Sequence, residues 1–335
     1  MKIVIFETTP EDQAGLAPML TGQDVVFLND RLTKETAGLA KDAEIVSVFV
    51  NSEVKKDVID SLPNLKCINT RSTGFDHVDV QYAKSKGIEV CYVPSYGSHT
   101  VAEFAFGLIL TLSRKLFSAH HQLREGNSFD LSQLKGFDLF GKTIGVIGTG
   151  RIGQNAVKIA HGFGMNILAF DLFPKEDLAK EIGFKYVSLD ELLQNSDVVT
   201  IHVPYTKETF HLLNSENLMK IKPGAILVNT ARGEIVETEA LLACLKAGII
   251  SGAGLDVLEG ERELKDEMRL LTDPKSHIEH MRQLIEDHVL IDMENVIVTP
   301  HSAFYTQEAK HEILKTAADG MMGFAARQPV NLVKA

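Results

Sequence analysis

A segment with the spacing Gly-x-Gly-x-x-Gly occupies positions 148–153, between a β-branched run and a helical pattern. The first glycine permits a tight turn, the second lets a phosphate approach the backbone, and the third allows close helix–strand packing. Free N–H groups at the start of the following helix favour an anion. Ordinary glycine-rich turns share this spacing, so the segment alone is weak evidence for dinucleotide binding. The predicted phosphate-binding residues are Gly148, Thr149, Gly150, Arg151, Ile152 and Gly153.

The next apolar run, NILAFD, supplies an acidic residue where a dinucleotide fold needs one. Asp171 ends this run, 23 residues after Gly148. A carboxylate at this position can accept hydrogen bonds from both ribose hydroxyls, and it repels a 2′-phosphate. Leu172 and Phe173 follow instead of an arginine, and we interpret Lys175 as a surface residue. The sequence therefore predicts NAD rather than NADP as the cofactor.

Three further segments place reactive side chains directly after predicted strands. Arg232 follows AILVNT, two carboxylates (Glu259 and Glu261) follow GAGLDV, and His301 follows NVIVTP. Open α/β sheets bind ligands at the carboxyl ends of their strands. An arginine at a helix start is electrostatically unfavourable, which favours a functional role over the alternative of an exposed surface residue. Among the 12 histidines, His301 is distinguished by its place after a strand and a proline.

Alternating elements position these side chains. Short β-branched runs alternate with helical patterns in two series, which predicts an α/β fold with two doubly wound parallel-sheet domains. A helical pattern over 100–126 separates the series and predicts a connecting helix with a buried apolar first half. A charged segment, 261–294, is interpreted as a solvated insertion with a helix over about 275–287, and a last helix is predicted over 307–326. The predicted strands cover 2–6, 24–28, 44–50, 65–69, 88–93, 142–148, 166–171, 197–203, 225–230, 252–257 and 295–300.

Length, charge and cysteine content exclude several classes of protein. A chain of 335 residues favours two domains, and a net charge of −11 disfavours binding to nucleic acids or anionic membranes. An anionic substrate therefore needs a local positive group. Cys67, Cys91 and Cys244 lack the spacing of metal or redox sites, and we expect buried thiols in a reducing compartment. Without a signal peptide or a long uncharged apolar stretch, a soluble cytoplasmic protein is expected.

The ordered motifs GTGRIG, HVP (202–204), NTARG, GLDVLEGE and PHSAFYT resemble those of the D-isomer-specific 2-hydroxyacid dehydrogenases. The likeness begins at RSTGFDH (71–77) and covers nearly the whole chain. It implies a flavodoxin-like substrate domain built from residues 1–98 and 300–335, and a Rossmann NAD domain over 99–299. It also implies an active site in the cleft between the domains and a homodimer formed through the NAD domain.

The same resemblance implies roles for individual residues. Arg232, Glu261 and His301 would be catalytic. Asp171 would hold the adenosine ribose, and Asp256 would hold the nicotinamide carboxamide. The other implied cofactor-binding residues are His202, Val203, Pro204, Thr230 and Ala231, and the implied substrate-binding residues are Thr73, Gly74, Tyr96 and Phe304 together with Arg232 and His301. No metal site is expected.

The resemblance is greatest to the D-lactate dehydrogenase branch, because of Tyr96 and the PHSAFYT segment. It implies NAD-dependent reduction of a small 2-oxo acid, pyruvate above all, to D-lactate, and the reverse reaction. Glyoxylate, hydroxypyruvate or phosphoglycerate-type substrates are alternatives, although few basic residues surround Arg71 and Tyr96 to hold a phosphate. Formate dehydrogenases pair their histidine with glutamine, where this chain has Glu261. NAD-sensing corepressors share the fold, but the chain lacks long flanking tails. His99 departs from the family by replacing a smaller polar residue.

Overall fold

The computed structural model describes residues 1–261, 264 and 278–333, and the chain divides into two compact units. The first unit comprises Met1–Gly97 and Tyr305–Ala335, and the second comprises Ser98–Phe304. His301 and the residues that follow it up to Phe304 lie in the second unit.

The first unit is built on a five-stranded sheet with the order β2-β1-β3-β4-β5, in which every strand is parallel to its neighbours. This order is flavodoxin-like, as the family resemblance implied. The central strands are buried along their whole length, because helices cover both faces of a parallel sheet. The strands are β1 (Lys2–Ile5), β2 (Asp24–Phe27), β3 (Ile45–Val48), β4 (Cys67–Thr70) and β5 (Glu89–Cys91).

The second unit contains a seven-stranded parallel sheet with the order β12-β11-β10-β9-β6-β7-β8. The order reverses at β6 and β9, which is where doubly wound sheets form a ligand-binding crevice. The two-residue strand β8 was not predicted. The strands are β6 (Thr143–Ile147), β7 (Asn166–Phe170), β8 (Lys185–Tyr186), β9 (Val198–Ile201), β10 (Ala225–Asn229), β11 (Ile250–Leu255) and β12 (Val296–Val298).

Helices connect the strands in both units. The first unit contains α1 (Pro10–Leu16), α2 (Lys56–Asp60) and α3 (Val80–Ser85). The second contains α4 (Ser98–Ser113), α5 (Leu116–Gly126), α6 (Arg151–Gly162), α7 (Glu176–Ile182), α8 (Leu189–Asn195), α9 (Thr238–Lys246) and α10 (Ile278–Asp292). Helix α11 (Gln307–Ala325) returns to the first unit, at the position predicted for the last helix. In the described part of the chain, no helix combines the length and apolarity needed to cross a bilayer.

The expected continuous helix over 100–126 is wrong, because the chain breaks between α4 and α5. Lys115 adopts a left-handed conformation with φ of 51°. The Ser113 carbonyl accepts a hydrogen bond from the N–H of Phe137 at 2.9 Å instead of continuing the helical ladder. A Cβ on Gly136 would lie 2.2 Å from that carbonyl oxygen, so only glycine allows this close backbone approach.

Helix α10 accounts for most of the helix expected over 275–287. Residues 275–277 lie outside the described residues, so the predicted start is not compared. The helix ends at Asp292, five residues later than expected. Buried Leu290, in its last turn, packs into the core of the second unit. All three cysteines are buried, free thiols, as expected from the sequence.

Candidate active site

The glycine-rich turn after β6 has the geometry that its spacing predicted. Gly148 has φ of 92°, and a Cβ there would lie 2.8 Å from the carbonyl carbon and oxygen of His202. A Cβ on Gly153 would lie 1.9 Å from the carbonyl oxygen of Gly148. In contrast, a Cβ on Gly150 would meet no atom within 4 Å. The first and last glycines therefore close the turn tightly, while the middle one leaves open space in front of the backbone.

Helix α6 begins at this open space. Its N-cap, Gly150, provides no side-chain cap, and the first turn contains no acidic residue. Arg151 and Ile152 are the first two helical residues. The uncapped N–H groups and the positive end of the helix dipole favour a phosphate in front of Gly150.

Asp171 lies directly after β7 and contacts the turn. Its Oδ2 accepts hydrogen bonds from the N–H of Thr149 at 2.6 Å and from the Thr149 hydroxyl at 2.8 Å. Its Oδ1 accepts a hydrogen bond from the N–H of Phe173 at 2.9 Å. Burial raises the pKa of Asp171, but the hydrogen bonds from Phe173 and Thr149 outweigh this and lower the pKa below its usual value. The carboxylate is therefore ionised at neutral pH and able to accept ribose hydroxyls.

The HVP segment and the segment after β10 also lie in the second unit. His202 is buried beside the turn, with Nε2 3.0 Å from Oγ1 of Thr200, and burial lowers its pKa to about 4. The side chain of Val203 fills the space that a Cβ on Gly148 would occupy. Pro204 is exposed. The buried hydroxyl of Thr230 has no hydrogen-bond partner among the described residues. An open phosphate position, an uncapped helix and this hydroxyl together fit a bound dinucleotide.

Arg232 lies one turn beyond β10, in an extended conformation before a short 3-10 helix. Its Nη1 donates a hydrogen bond to the carbonyl of Ala231 at 2.7 Å. The side chain of Asn229 accepts from the N–H of Ala231 and donates to the carbonyl of Arg232. These bonds order the backbone that carries the guanidinium, whose planar fork is suited to binding a carboxylate.

Glu261 and His301 are in direct contact although 40 residues separate them. Both carboxylate oxygens of Glu261 lie 3.0 Å from Nδ1 of His301. About a quarter of each side chain is exposed to solvent. His301 has φ of 54°, and its N–H donates to the carbonyl of Thr299 at 2.9 Å. Because the carboxylate occupies the Nδ1 side, Nε2 is the nitrogen that can exchange a proton with a ligand.

Asp256 anchors the loop that carries His301. Its Oδ1 accepts hydrogen bonds from the Thr299 hydroxyl at 2.5 Å and the Ser302 N–H at 2.9 Å. Its Oδ2 accepts a hydrogen bond from the N–H of Ala303 at 2.8 Å. Burial raises the pKa of Asp256, and the three hydrogen bonds only partly oppose the rise. The sequence did not indicate this contact, and the implied bond from Asp256 to the nicotinamide carboxamide stays a prediction.

The implied substrate-binding residues fall in both units. Thr73, Gly74 and Tyr96 lie in the first unit, and Phe304 is the last residue of the second. The hydroxyl of Thr73 donates to the carbonyl of Val93 at 2.8 Å. Gly74 is partly exposed, and its carbonyl accepts a hydrogen bond from the neighbouring hydroxyl of residue 72 at 2.6 Å. These contacts order the 72–74 loop.

The sequence also did not indicate two further polar contacts among the described residues of the second unit. The Tyr186 hydroxyl lies 2.8 Å from Oγ1 of Thr149 and accepts from the backbone N–H of Lys175 at 3.1 Å. Nε2 of His211 lies 2.6 Å from Oε1 of Glu259. The first contact falls on a two-residue strand with no recognisable pattern. The second involves a carboxylate that the sequence singled out without a role.

Comparison with known proteins identifies the family of this chain. The family model of the D-isomer specific 2-hydroxyacid dehydrogenase NAD binding domain matches residues 106–303, more than half of the chain. D-lactate dehydrogenase of Escherichia coli is 38% identical over 328 residues, which cover 96% of each chain. Glyoxylate reductase of Korarchaeum cryptofilum is 35% identical over 340 residues, which cover 99% of this chain and 96% of the relative.

A solved structure gives the same result at the level of the fold. D-lactate dehydrogenase from Aquifex aeolicus, complexed with NAD and lactic acid, is 37% identical, with a TM-score of 0.88 over 97% of this chain and 96% of that chain. The matched family model covers the glycine-rich turn, Asp171 and the His301 loop. The chain is therefore an NAD-binding member of the D-isomer-specific 2-hydroxyacid dehydrogenase family.

Proposed function

We propose that this enzyme reduces a small 2-oxo acid, pyruvate above all, to the (R)-2-hydroxy acid, D-lactate, with NADH, and also catalyses the reverse reaction. The observation that carries the proposal is the 3.0 Å contact between Glu261 and Nδ1 of His301, in the unit that contains the glycine-rich turn. Relatives named D-lactate dehydrogenase support this substrate class. The relative named glyoxylate reductase makes glyoxylate reduction the second candidate.

The proposed chemistry assigns one task to each of three side chains. In reduction, the His301 imidazolium donates the Nε2 proton to the carbonyl oxygen of the substrate, and in oxidation the neutral imidazole removes it. Glu261 holds the ring by Nδ1 and stabilises the cation. The Arg232 guanidinium binds the substrate carboxylate and stabilises negative charge that develops on the reacting oxygen. Bound NADH supplies the hydride for the carbonyl carbon.

The state of Arg71 argues against a phosphorylated substrate. This guanidinium is 3% exposed and donates to the carbonyl oxygens of Phe6 at 2.7 Å and Glu7 at 2.9 Å, and to the hydroxyl of Ser47 at 3.1 Å. Burial lowers its pKa to about 10, so it remains charged at neutral pH. A buried cation that already binds three oxygens is not available to hold a phosphate near the 72–74 loop.

The remaining substrate assignments follow the family resemblance. We propose that backbone groups of Thr73 and Gly74 hold the substrate carboxylate, and that Tyr96 and Phe304 provide apolar surface near its C3 end. Such surface accepts a methyl group and penalises a phosphate without fixed cations. Hydroxypyruvate and 3-phosphohydroxypyruvate are therefore weaker candidates than pyruvate.

Two rival functions make different demands on the same fold. A formate dehydrogenase does not form a hydroxyl group and so needs no general acid to protonate it. Formate dehydrogenases pair their histidine with glutamine, whereas in this chain Glu261 contacts His301. An NAD-sensing corepressor can keep all three proposed catalytic residues, so only a measurement of activity distinguishes it from the enzyme. Turnover of a 2-oxo acid with NADH therefore decides between the enzyme and the sensor.

We also propose a homodimer formed through the second unit. Helix α5 has no buried residue, and its Leu116 and Phe117 are 54% and 60% exposed. Phe129 and Leu131, which follow it, are 85% and 75% exposed. Exposed apolar side chains in one region are typical of a protein interface. A cytoplasmic location is proposed as well, because the three thiols are buried and unpaired.

Steady-state kinetics with a substrate panel test the proposal. NADH oxidation is followed with pyruvate, 2-oxobutyrate, phenylpyruvate, glyoxylate, hydroxypyruvate and 3-phosphohydroxypyruvate, and the product is resolved by chiral chromatography. We expect the aliphatic acids to give kcat/KM values within about 100-fold of one another, since each methylene contributes only ~1–3 kcal/mol. The phosphorylated acid should be rejected. If 3-phosphohydroxypyruvate gives the highest kcat/KM, the lactate-type assignment is wrong.

A further inference from the structure

A second histidine–carboxylate pair lies outside the residues assigned above. Nε2 of His211 is 2.6 Å from Oε1 of Glu259, and their side chains are 28% and 16% exposed. Oε2 of Glu259 accepts hydrogen bonds from the N–H of Thr238 at 3.2 Å and from its hydroxyl at 2.8 Å. Both oxygens of this carboxylate are therefore engaged by protein donors.

The Glu259 carboxylate joins two helices to the segment that carries it. Thr238 is the first residue of α9, and the N-cap residue of that helix makes no side-chain cap. A negative charge at this end of a helix is stabilising. Gln283 of α10 donates to the Thr238 hydroxyl at 3.0 Å. Helices α9 and α10 thus share one hydrogen-bonded cluster with Glu259.

His211 connects the same cluster to the backbone beyond Arg232. Its own N–H donates to the carbonyl of Glu234 at 2.9 Å, and its φ of 48° is uncommon for a residue other than glycine. The ring of Phe210 stacks on its imidazole at 3.9 Å. His211 therefore bonds to the Glu234 segment through its backbone and to Glu259 through its side chain.

The segments that carry Arg232 and Glu261 touch directly at Gly233. A Cβ on Gly233 would lie 2.0 Å from the carbonyl carbon of Leu258 and 2.3 Å from the nitrogen of Glu259. Glu259 precedes Glu261 by two residues. A shift of the 258–259 backbone therefore changes the position of Glu261 relative to Arg232.

We propose that His211 is a positioning residue for the reaction. By bonding Glu259, it holds residues 258–261 so that the Glu261 carboxylate stays on Nδ1 of His301. Among the described residues of the second unit, the carboxylate of Glu261 contacts His301, and Asp256 interacts with His301 electrostatically. The carboxylate of Glu259 contacts His211. The proposal rests on the proposed function, because it assigns the position of Glu261 a catalytic consequence.

Kinetics of His211 variants test this role. His211→Ala should lower kcat by about 10- to 100-fold, because small displacements of a reacting group have large effects on rate. His211→Gln retains a nitrogen donor that can reach Glu259 and should recover most of the activity. The dissociation constant of NADH, measured by fluorescence, should change by less than about twofold. His311→Ala, at an exposed histidine of α11, is the matched control and should resemble the wild type.

A substrate-free measurement separates this proposal from the proposed function. With ¹⁵N-labelled imidazoles, the Nδ1–H signal of His301 is assigned by comparison with His301→Gln. His211→Ala should shift or remove this signal, and His211→Gln should restore it. If His211→Ala does not fold, Glu259→Ala, which removes the acceptor of the same hydrogen bond, provides the test.

Three outcomes have distinct meanings. An unchanged His301 signal in His211→Ala overturns the positioning role. Equal losses in His211→Ala and His211→Gln also overturn it, since they indicate packing rather than a hydrogen bond. If the signal responds as expected but the wild type reduces no 2-oxo acid, the proposed function fails and the positioning of Glu261 by His211 stands.

Discussion

Replacing Asp256 with asparagine removes one acceptor from the loop that carries His301 and introduces a donor in its place. The amide oxygen can keep the bonds from Thr299 and Ser302, and the amide nitrogen then faces the N–H of Ala303. A lost hydrogen bond to a charged group costs about 1.5–3 kcal/mol. Because burial disfavours the ionised form of Asp256, the neutral side chain regains part of this loss. The free energy of unfolding should therefore fall, but by less than the ~1.5–3 kcal/mol of the lost bond.

The variant should also lose catalytic activity under conditions where it remains folded. Ala303 is two residues from His301, so loosening its anchor shifts the imidazole relative to the substrate. We expect kcat/KM for pyruvate to fall by about 10- to 100-fold, or ~1.4–2.7 kcal/mol. The assay is NADH oxidation under conditions where urea unfolding shows both proteins to be folded. Asp292→Asn, at an exposed aspartate of α10, is the matched control.

The pH dependence of the free energy of unfolding provides a second test of Asp256→Asn, because the direction of the change with pH can be predicted. A carboxyl whose pKa is raised on folding stabilises the native state at low pH, and this contribution is lost as pH rises through the folded pKa. The wild type should therefore lose stability relative to the variant as pH rises from ~4 towards neutrality. Wild-type kcat/KM in Asp256→Asn would show that Asp256 does not position His301. A stability difference that changes in the opposite direction would show that the pKa of Asp256 is not raised on folding.

Three further predictions use the same assays. The wild type should prefer NADH to NADPH by at least about tenfold in kcat/KM, and Asp171→Ala should reduce this preference. Equal use of both cofactors by the wild type would mean that Asp171 does not select NADH. Glu261→Gln should lower kcat/KM for pyruvate by about tenfold or more, because the neutral amide no longer provides a carboxylate for Nδ1 of His301. Wild-type kcat/KM in this variant would mean that Glu261 does not act on His301. Since burial lowers the pKa of His202 to about 4, the free energy of unfolding should fall by up to about 3 kcal/mol between pH ~6.5 and ~4. His202→Asn should lose less over this range, and an equal loss contradicts the assignment.

Most of the sheet could be predicted because its strands are buried on both faces. Such strands appear in the sequence as continuous β-branched runs, and β3, β4 and β9 are buried along their whole length. Strand β8 escaped prediction because two residues at a sheet edge leave no periodic signal. The break at Lys115 also left no signal, since it depends on the approach of Gly136 to the end of α4.

The pairing of the carboxylates could not be predicted from spacing. Asp256, Glu259 and Glu261 fall within six positions after one strand, and the family resemblance assigned only two of them a role. In the structure, Glu261 contacts His301, Glu259 contacts His211, and Asp256 binds the backbone of residues 302 and 303. Each partner is at least 40 residues away in the chain, so tertiary packing decides which carboxylate meets which group.

The fate of the hydride shows whether this protein reduces pyruvate to (R)-lactate with NADH. The protein is incubated with pyruvate and NADH that carries deuterium at both C4 positions, and the product is analysed by mass spectrometry and chiral chromatography. We expect (R)-lactate with one deuterium at C2, and we expect His301→Gln to form none of this product above a small residual rate. Unlabelled lactate, (S)-lactate, or label transferred to 3-phosphohydroxypyruvate in preference to pyruvate would contradict it.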